Sequence, residues 1–290
     1  MKKIAVISSS PMMMMLALKL MKRNEVCVFD YANRKGGAWG WFDNYKEYVP
    51  RYSNAIVPLS KKEAKLIPFM NRILKNRFKI KIKQTRKKIL INYPLKKKYI
   101  YDFSTFYKLA LKKINFKKEF VSQIKILKNK KILLNNKYLF DKLYLPTFAG
   151  VEEIIKNGKI YKPTFRVIVS EHVSILAKKF KLKNFYYSDF YNDSFDRLKI
   201  EKNKSFFALT ARLTFARKGL PVNKLKKYMS DLVDKKNIIR ITKSKFKNYF
   251  RNKDEIILFK NIVKNSNIKY VDTTQFVCGF LRLRNFFKSF

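Results

Sequence analysis

Lys3-Ile4-Ala5-Val6-Ile7-Ser8-Ser9-Ser10-Pro11-Met12-Met13-Met14-Met15-Leu16-Ala17-Leu18-Lys19-Leu20, followed by Glu25-Val26-Cys27-Val28-Phe29-Asp30, is the stretch that decides the fold. The apolar run Ile4 to Ile7 reads as a buried strand that breaks at three serines. Pro11 suits the first turn of a helix, where its missing N–H has no partner to lose. Met12 to Arg23 reads as a buried helix, and Glu25 to Phe29 as a second strand ended by an acid. Strand, helix and strand at this spacing predict a parallel βαβ unit.

Asp30 stands where a dinucleotide-binding unit of this kind places the acid that accepts from a ribose hydroxyl. In that fingerprint a G-x-G-x-x-G turn joins strand to helix, and the helix N-terminus faces the pyrophosphate. Ser8, Ser10 and Met13 occupy the three glycine positions here. Ser10 adds a side chain where backbone should approach phosphate, and Met13 adds bulk where helix and strand should touch. The N–H groups of the first helical turn and the serine hydroxyls remain as donors. An ordinary βαβ unit without a ligand is the other reading of the same residues. On the fingerprint reading, glycine at positions 10 and 13 should tighten dinucleotide binding, unless Met13 is core.

Arg34-Lys35-Gly36-Gly37-Ala38-Trp39 comes next. Two adjacent glycines let the backbone approach a phosphate or a flavin with no Cβ in the way, and in a chain with 7 glycines among 290 residues the pair stands out. This stretch resembles the basic, double-glycine segment that follows the ribose acid in the FAD-dependent amine oxidase and UDP-galactopyranose mutase clan. Further segments fall in that clan's order. Tyr52 to Pro58 and a helix from Lys61 to Leu74 occupy the place of the mutases' segment beside the flavin, with Ala55 where the mutases have histidine. Lys88 to Pro94 and a helix from Ser104 to Lys113 are similar to the strand, proline and helix that follow. Phe120 to Leu127 alternates with period two, Lys131 to Leu134 and Tyr138 to Phe140 flank the turn-prone pair Asn135-Asn136, and Asp141 to Pro146 closes the series. This array resembles the clan's β-meander, whose first strand lays its backbone against the adenine and whose last strand rejoins the parallel sheet.

The resemblance implies an α/β fold: a Rossmann-like FAD/NAD(P)-binding domain with a parallel sheet and β-meander, and an antiparallel-sheet substrate-binding part. It assigns residues 1–60, 115–150 and 262–290 to the FAD-binding part, and 61–114 and 151–261 to the substrate-binding or helical part. FAD is the implied cofactor, with Ser8, Ser10, Pro11, Met12, Asp30, Tyr31, Gly36, Gly37, Ala38, Trp39 and Val121 as its binding residues and Val121 near the adenine. On the substrate side it implies Asn54 and strands at Phe185 to Phe190 and Ser205 to Thr214, with Asp196-Arg197 in the turn region between them. Arg197, Arg212 and Arg217 are the candidates for gripping a nucleotide diphosphate, because a planar guanidinium can hold two phosphate oxygens at once. Near the C-terminus Ile268 to Phe276 supplies a strand and an acid without the clan's preceding glycine. The implied activity is that of an FAD-dependent oxidoreductase or a sugar-nucleotide mutase-like flavoprotein acting on a small molecule in envelope polysaccharide metabolism, with the flavin supplying the chemistry. No general acid, base or nucleophile can be named.

Composition points to a second reading. With 67 Lys+Arg against 20 Asp+Glu the formal charge is +47, a field that attracts nucleic acid or an anionic membrane surface. A cofactor-less Rossmann-fold protein that binds such a polyanion is the alternative. The basic residues are mostly lysine, spread in short runs along the chain, which also reads as a plainly solvated basic surface. At 47% hydrophobic and 16% aromatic the chain has ample material for a core. Cys27 and Cys278 have neither metal-ligand spacing nor a disulfide framework, and the lone His172 excludes a His-rich metal site and reads as structural. No metal is expected, and the setting is a reducing cytoplasm, with peripheral attachment to the inner membrane surface left open. The start of the chain lacks a small-residue cleavage site, and no window has enough consecutive apolar residues for a transmembrane segment.

Overall fold

The computed structural model describes residues 1–31, 53–56, 61–85, 98–146, 150–163, 166–179, 189–192, 195–202, 207–212, 233–250 and 253–271. The opening βαβ unit forms as its sequence dictates: β1 (Lys2–Ile7), α1 (Pro11–Leu20) and β2 (Asn24–Phe29), with β1 and β2 parallel from Lys2↔Asn24 to Ile7↔Phe29. Three later strands join them, β6 (Asn115–Lys117), β10 (Lys142–Pro146) and β18 (Ile268–Val271), in the order β18-β10-β1-β2-β6, with every pairing parallel. Expressed in the order the strands enter the sheet, this is 3-2-1-4-5 read from the β6 edge, the doubly-wound arrangement.

Burial on both faces explains the unbroken apolar strands. Alternate residues go to opposite layers: Ile4, Val6, Val26, Val28 and Tyr144 face one core, while Ala5, Cys27, Phe29, Leu143 and Leu145 face the other. The first core is built around α1. Pro11 to Ala17 and Leu20 are all buried, so the helix has no solvent stripe and is held by contacts all round. Its cover comes from Met70 and Leu74 of α2 (Lys61–Phe78) and from Phe106, Tyr107 and Ala110 of α3 (Ser104–Lys113). Side chains of this size each contribute roughly 1.5–3 kcal/mol when fully buried. The second core is closed by the meander and by Phe259 and Ile262 of α4 (Lys253–Ile262).

β7 (Gln123–Ile126), β8 (Ile132–Leu134) and β9 (Tyr138–Phe140) form the antiparallel meander, and β10 then returns to the parallel sheet. Asn135 and Asn136 both take positive φ, 48° and 52°, and the Lys137 N–H donates to Leu134 O, a type I′ turn inside a three-residue connection, since Leu134 stands opposite Tyr138. Asn135 also accepts from the Ser122 and Gln123 N–H groups and donates to Glu119 and to the Phe120 carbonyl, which pins the start of β7. The hairpin β11 (Glu153–Lys156) and β12 (Lys159–Tyr161), within the stretch assigned above to the substrate side, completes this sheet: β11 runs parallel to β7.

Two antiparallel sheets make up the rest. β3 (Ser53–Ile56), β4 (Lys81–Thr85) and β5 (Lys98–Asp102) lie in the order β3-β5-β4. β13 (Arg166–Ala177), β14 (Asp189–Asn192), β15 (Phe195–Lys202), β16 (Phe207–Arg212) and β17 (Ile238–Phe250) lie in the order β14-β15-β16-β13-β17. Asp196 and Arg197 are inside β15 and not in a turn, because β15 extends back to Phe195, which pairs with Asn192 of β14. α2 runs past Leu74 to Phe78, since Phe78 packs against the first core. It ends in a Schellman-type cap: the Ile80 N–H donates to Leu74 O, the Lys79 N–H to Lys75 O, and Lys79 takes φ 55°. The expected strand at Lys88 to Pro94 lies outside the described residues. Among those residues no helix is long and apolar enough to cross a membrane.

Candidate functional site

The strand order reverses direction at β1, with β2 built to one side and β10 to the other. The crevice beyond the C-terminal ends of these strands is where doubly-wound sheets bind ligands. Ser8, Ser9 and Ser10 cross it on the way from β1 into α1. Ser8 has φ 81°, a conformation that glycine adopts freely and that costs another residue about 1–2 kcal/mol. The sharp reversal of the glycine fingerprint is therefore retained with serine at its first position.

Neighbouring elements hold this strained turn. The Ser8 N–H donates to Phe29 O (2.8 Å), extending the contact with β2. The Ser8 hydroxyl accepts from the Ser10 N–H at 3.1 Å. Asp30, 8% exposed, accepts at Oδ2 from the Ser9 N–H at 2.8 Å and from the Ser9 hydroxyl. Asp30 is itself placed by its own N–H, which donates to Lys117 O of β6 at 3.1 Å. From the opposite side the Tyr107 hydroxyl of α3 donates to Ser9 O at 2.6 Å. Both sides of the Ser9 residue are thus fixed, its N–H and hydroxyl by β2's terminal acid and its carbonyl by a helix distant in sequence. Tyr107→Phe should lower stability by about 1 kcal/mol, the net value of one hydrogen bond, measured as a shift of the urea midpoint; an unchanged midpoint would show that the bond contributes nothing.

Ser10 is the N-cap of α1, with φ −58° and ψ 153°, yet its hydroxyl makes no capping bond. The Ser10 Oγ is buried and has no hydrogen-bond partner. The Ser10 carbonyl is used, accepting from the Met14 N–H at 2.9 Å.

The structure brings Ser8, Ser10, Pro11, Met12 and Asp30 to this single turn. Met12 and Met13 are 4% and 0% exposed, so the third glycine position carries a core side chain. Tyr31, 51% exposed, follows Asp30 and meets Phe120 edge-on, with ring centroids 5.4 Å apart. Val121, next to Phe120, is buried in the second core. Tyr31 and Val121 thus lie beside the same edge, where β2 and β6 end and the meander begins. Nearby, Glu119 accepts from the Tyr138 hydroxyl at 2.7 Å, and Lys117 Nζ lies 4.4 Å from the centre of that ring. The Asn135 amide, aided by Tyr138 and two lysines, holds the Glu119 carboxyl below its usual range despite some desolvation.

Asn54 lies in β3, opposite Tyr101 of β5. Arg197 of β15 and Arg212 of β16 stand directly opposite each other. Gly36, Gly37, Ala38, Trp39 and Arg217 lie outside the described residues. Burial pushes the Cys27 thiol up to about 11, against a smaller lowering by Lys117, and burial likewise pushes Tyr144 up to about 12. Neither group is a ready nucleophile or base. Among the described residues no group of three or more His, Cys, Asp and Glu could hold a metal ion. Ser9 and Tyr107 are the site residues that sequence reasoning missed: Ser9 falls on a fingerprint position where any residue is allowed, and nothing in the sequence around Tyr107 links it to the turn.

No family model matches the chain, and no curated protein matches it. Solved structures do. An FAD-dependent oxidoreductase from Pseudomonas aeruginosa matches at a TM-score of 0.56 and 10% identity, over 99% of this chain and 90% of that one. A RAB GDI from Plasmodium falciparum matches at 0.54 and 7% identity, over 98% and 96%. A flavin-dependent halogenase from Xanthomonas campestris matches at 0.51 and 7% identity, covering 93% of this chain and 65% of the halogenase. Parallel sheet, returning meander and antiparallel sheets together give this chain the Rossmann-type architecture found in flavoprotein oxidoreductases.

Proposed function

We propose that the chain is an FAD-binding oxidoreductase that seats the pyrophosphate of its cofactor on the serine turn. The observation that carries the reading is the Ser10 hydroxyl, buried and unpartnered at the N-terminus of α1. A buried hydroxyl left without a partner costs about 1–3 kcal/mol. A phosphate oxygen is the acceptor that a helix N-terminus at this point of a doubly-wound sheet favours. The residues present therefore fit the group: Ser8 preserves the turn, Ser10 and the first-turn N–H groups of α1 would face the phosphates, and Asp30 lies at the ribose side. FAD would supply the electron transfer, and the chain would position it and exclude water. The mutase-like branch, with a sugar nucleotide as substrate, is the narrower form of this reading. It rests on segment order alone, and Ala55 in place of that branch's histidine weighs against it.

The test is the visible spectrum of protein purified in high salt, followed by titration with FAD. Stoichiometric flavin absorbance is expected; no binding at saturating FAD would overturn the reading. Ser10→Ala discriminates further. Removing an orphaned hydroxyl should leave the apo-protein at least as stable as before, while FAD affinity falls about tenfold, the equivalent of about 1.4 kcal/mol. Equal FAD affinity in the variant would mean that Ser10 does not face the phosphates.

A further inference from the structure

The registers of the meander sheet put one residue of each strand at a common level: Ile160 of β12 opposite Ile155 of β11, Ile155 beside Lys125 of β7, Lys125 opposite Leu133 of β8, and Leu133 opposite Leu139 of β9. Directly paired residues share a face of the sheet. This is the outward face, because the alternate residues Ile124, Ile126, Ile132, Leu134, Phe140 and Ile154 are buried in the second core. Ile160 and Leu139 are 60% and 46% exposed, Lys125 is exposed, and Ile155 and Leu133 are half-buried. A sheet face turned to solvent ordinarily carries polar side chains, and this chain has 67 Lys+Arg to place there. Apart from Lys125, the row is nevertheless aliphatic. Polar pairs frame it: the Gln123 amide donates to Glu153 at 3.1 Å on one side, and Lys131 meets Asp141 at 3.8 Å on the other. A contiguous apolar row rimmed by polar residues marks an interaction site, whereas exposed apolar side chains scattered singly do not.

We propose that this row is the docking site for one amphipathic helix of a partner protein, laid across the five strands with an acid at the middle of its apolar stripe. Spacing selects a helix. Neighbouring strands lie about 4.8 Å apart, so the row is roughly 19 Å long. A helix rising about 1.5 Å per residue presents one stripe at steps of i+3 and i+4, roughly 4.5 and 6 Å, in step with the strands. An extended peptide presents one face every ~6.7 Å and falls out of step. Charge selects the acid. Lys125 is the centre of the row, and among the described residues no carboxylate pairs with it. The acids on the rims are engaged, Glu153 by Gln123, and Asp141 by Lys131 and the Lys3 N–H. A carboxylate on the helix would meet Lys125 between aliphatic neighbours, and the +47 chain draws an acidic partner toward it. A second copy fits less well: a two-fold contact centred on the row sets Lys125 against Lys125, between two chains of +47. An anionic bilayer also fits less well, because it attracts clustered cations and here Glu153 and Asp141 stand on either rim of a row one residue wide.

This docking site goes beyond the flavin reading and does not rest on it. The probe is a fluorescently labelled helical peptide of about 15 residues, roughly 21 Å from end to end. It carries leucine at i, i+3, i+10 and i+14 and glutamate at i+7, with alanine and glutamine elsewhere so that the glutamate is its only charged side chain. Its affinity for the full chain is read by anisotropy titration at physiological salt. A saturable site is expected, weakened at least tenfold in each of Ile160→Asp, Leu139→Asp and Lys125→Glu. A second peptide with lysine at i+7 should bind wild type weakly and Lys125→Glu well, which a merely sticky surface would not produce. The control Lys236→Gln should leave the affinity within twofold. Each variant is checked for folding by far-UV circular dichroism; the three replaced side chains are exposed, and should one variant fail to fold, the other two still report. Absence of saturable binding, equal affinity in wild type and variants, or no exchange of preference in Lys125→Glu overturns the proposal. So does evidence for another occupant: a dimer in sedimentation that Ile160→Asp dissolves, or binding to phosphatidylserine vesicles that Ile160→Asp abolishes.

Discussion

Asp30→Ala is expected to unfold at a lower urea concentration than wild type and, if the proposed flavin site is right, to lose at least tenfold in FAD affinity. The carboxylate accepts from both the N–H and the hydroxyl of Ser9 in a nearly water-free place. Alanine removes the acceptor from two buried donors, and at about 1–3 kcal/mol for each a total loss of roughly 2–6 kcal/mol is expected. For a chain of this size that corresponds to a melting temperature lower by several degrees, at about 2–4 °C per kcal/mol. The turn, with Ser8 held at φ 81°, also loses the tether that opposes its strain. Asp30→Asn, which keeps a carbonyl acceptor, should lose less on both measurements. An Asp30→Ala protein with the wild-type urea midpoint would show that the acid does not hold the turn.

Met13→Gly is the second large effect, and its direction is opposite to what the fingerprint alone suggests. Restoring a glycine at this position should not tighten FAD binding, because Met13 is fully buried in the core that surrounds α1. Emptying a core methionine site costs about 2–5 kcal/mol, and glycine in a helix interior adds about 1 kcal/mol. The sum is a large part of the roughly 5–15 kcal/mol by which domains are stable. Urea unfolding should show a much lower midpoint, or the variant should be recovered as aggregate. Wild-type stability would mean that α1 does not pack through Met13.

The βαβ unit was legible because each of its parts carries a local signal: an apolar run, a proline at the first helical turn, and an acid closing the second strand. The helix Ser104–Lys113 has the bounds expected of it, and the Asn135-Asn136 turn marked the meander. β6 was not legible. Asn-Phe-Lys has no strand character of its own and is a strand because it pairs with Cys27 to Phe29. The β11–β12 hairpin did carry a signal, Asn157-Gly158 with φ 53° and 76°, the dipeptide most typical of such turns. The candidate site divides in the same way. Asp30 and the serines could be named from spacing. Tyr107 lies 98 positions from the carbonyl it serves, and no local pattern encodes a partner at that distance. The opposition of Arg197 and Arg212 likewise depends on register between strands, which single-sequence periodicity does not contain.

The strand order has a consequence in time. β18 pairs with β10 through Leu143↔Ile268 to Pro146↔Val271, but it leaves the ribosome roughly 120 residues after β10, which at about 5–20 residues per second is a wait of roughly 6–24 seconds. During that interval the nascent sheet has four strands, and the edge of β10 has no neighbour. The apolar β10, Leu143-Tyr144-Leu145, is then an open template for pairing with another chain. Synthesis speed through the antiparallel sheet therefore sets how long each molecule is exposed to misassembly, and chaperone occupancy of the nascent chain should be greatest in that window.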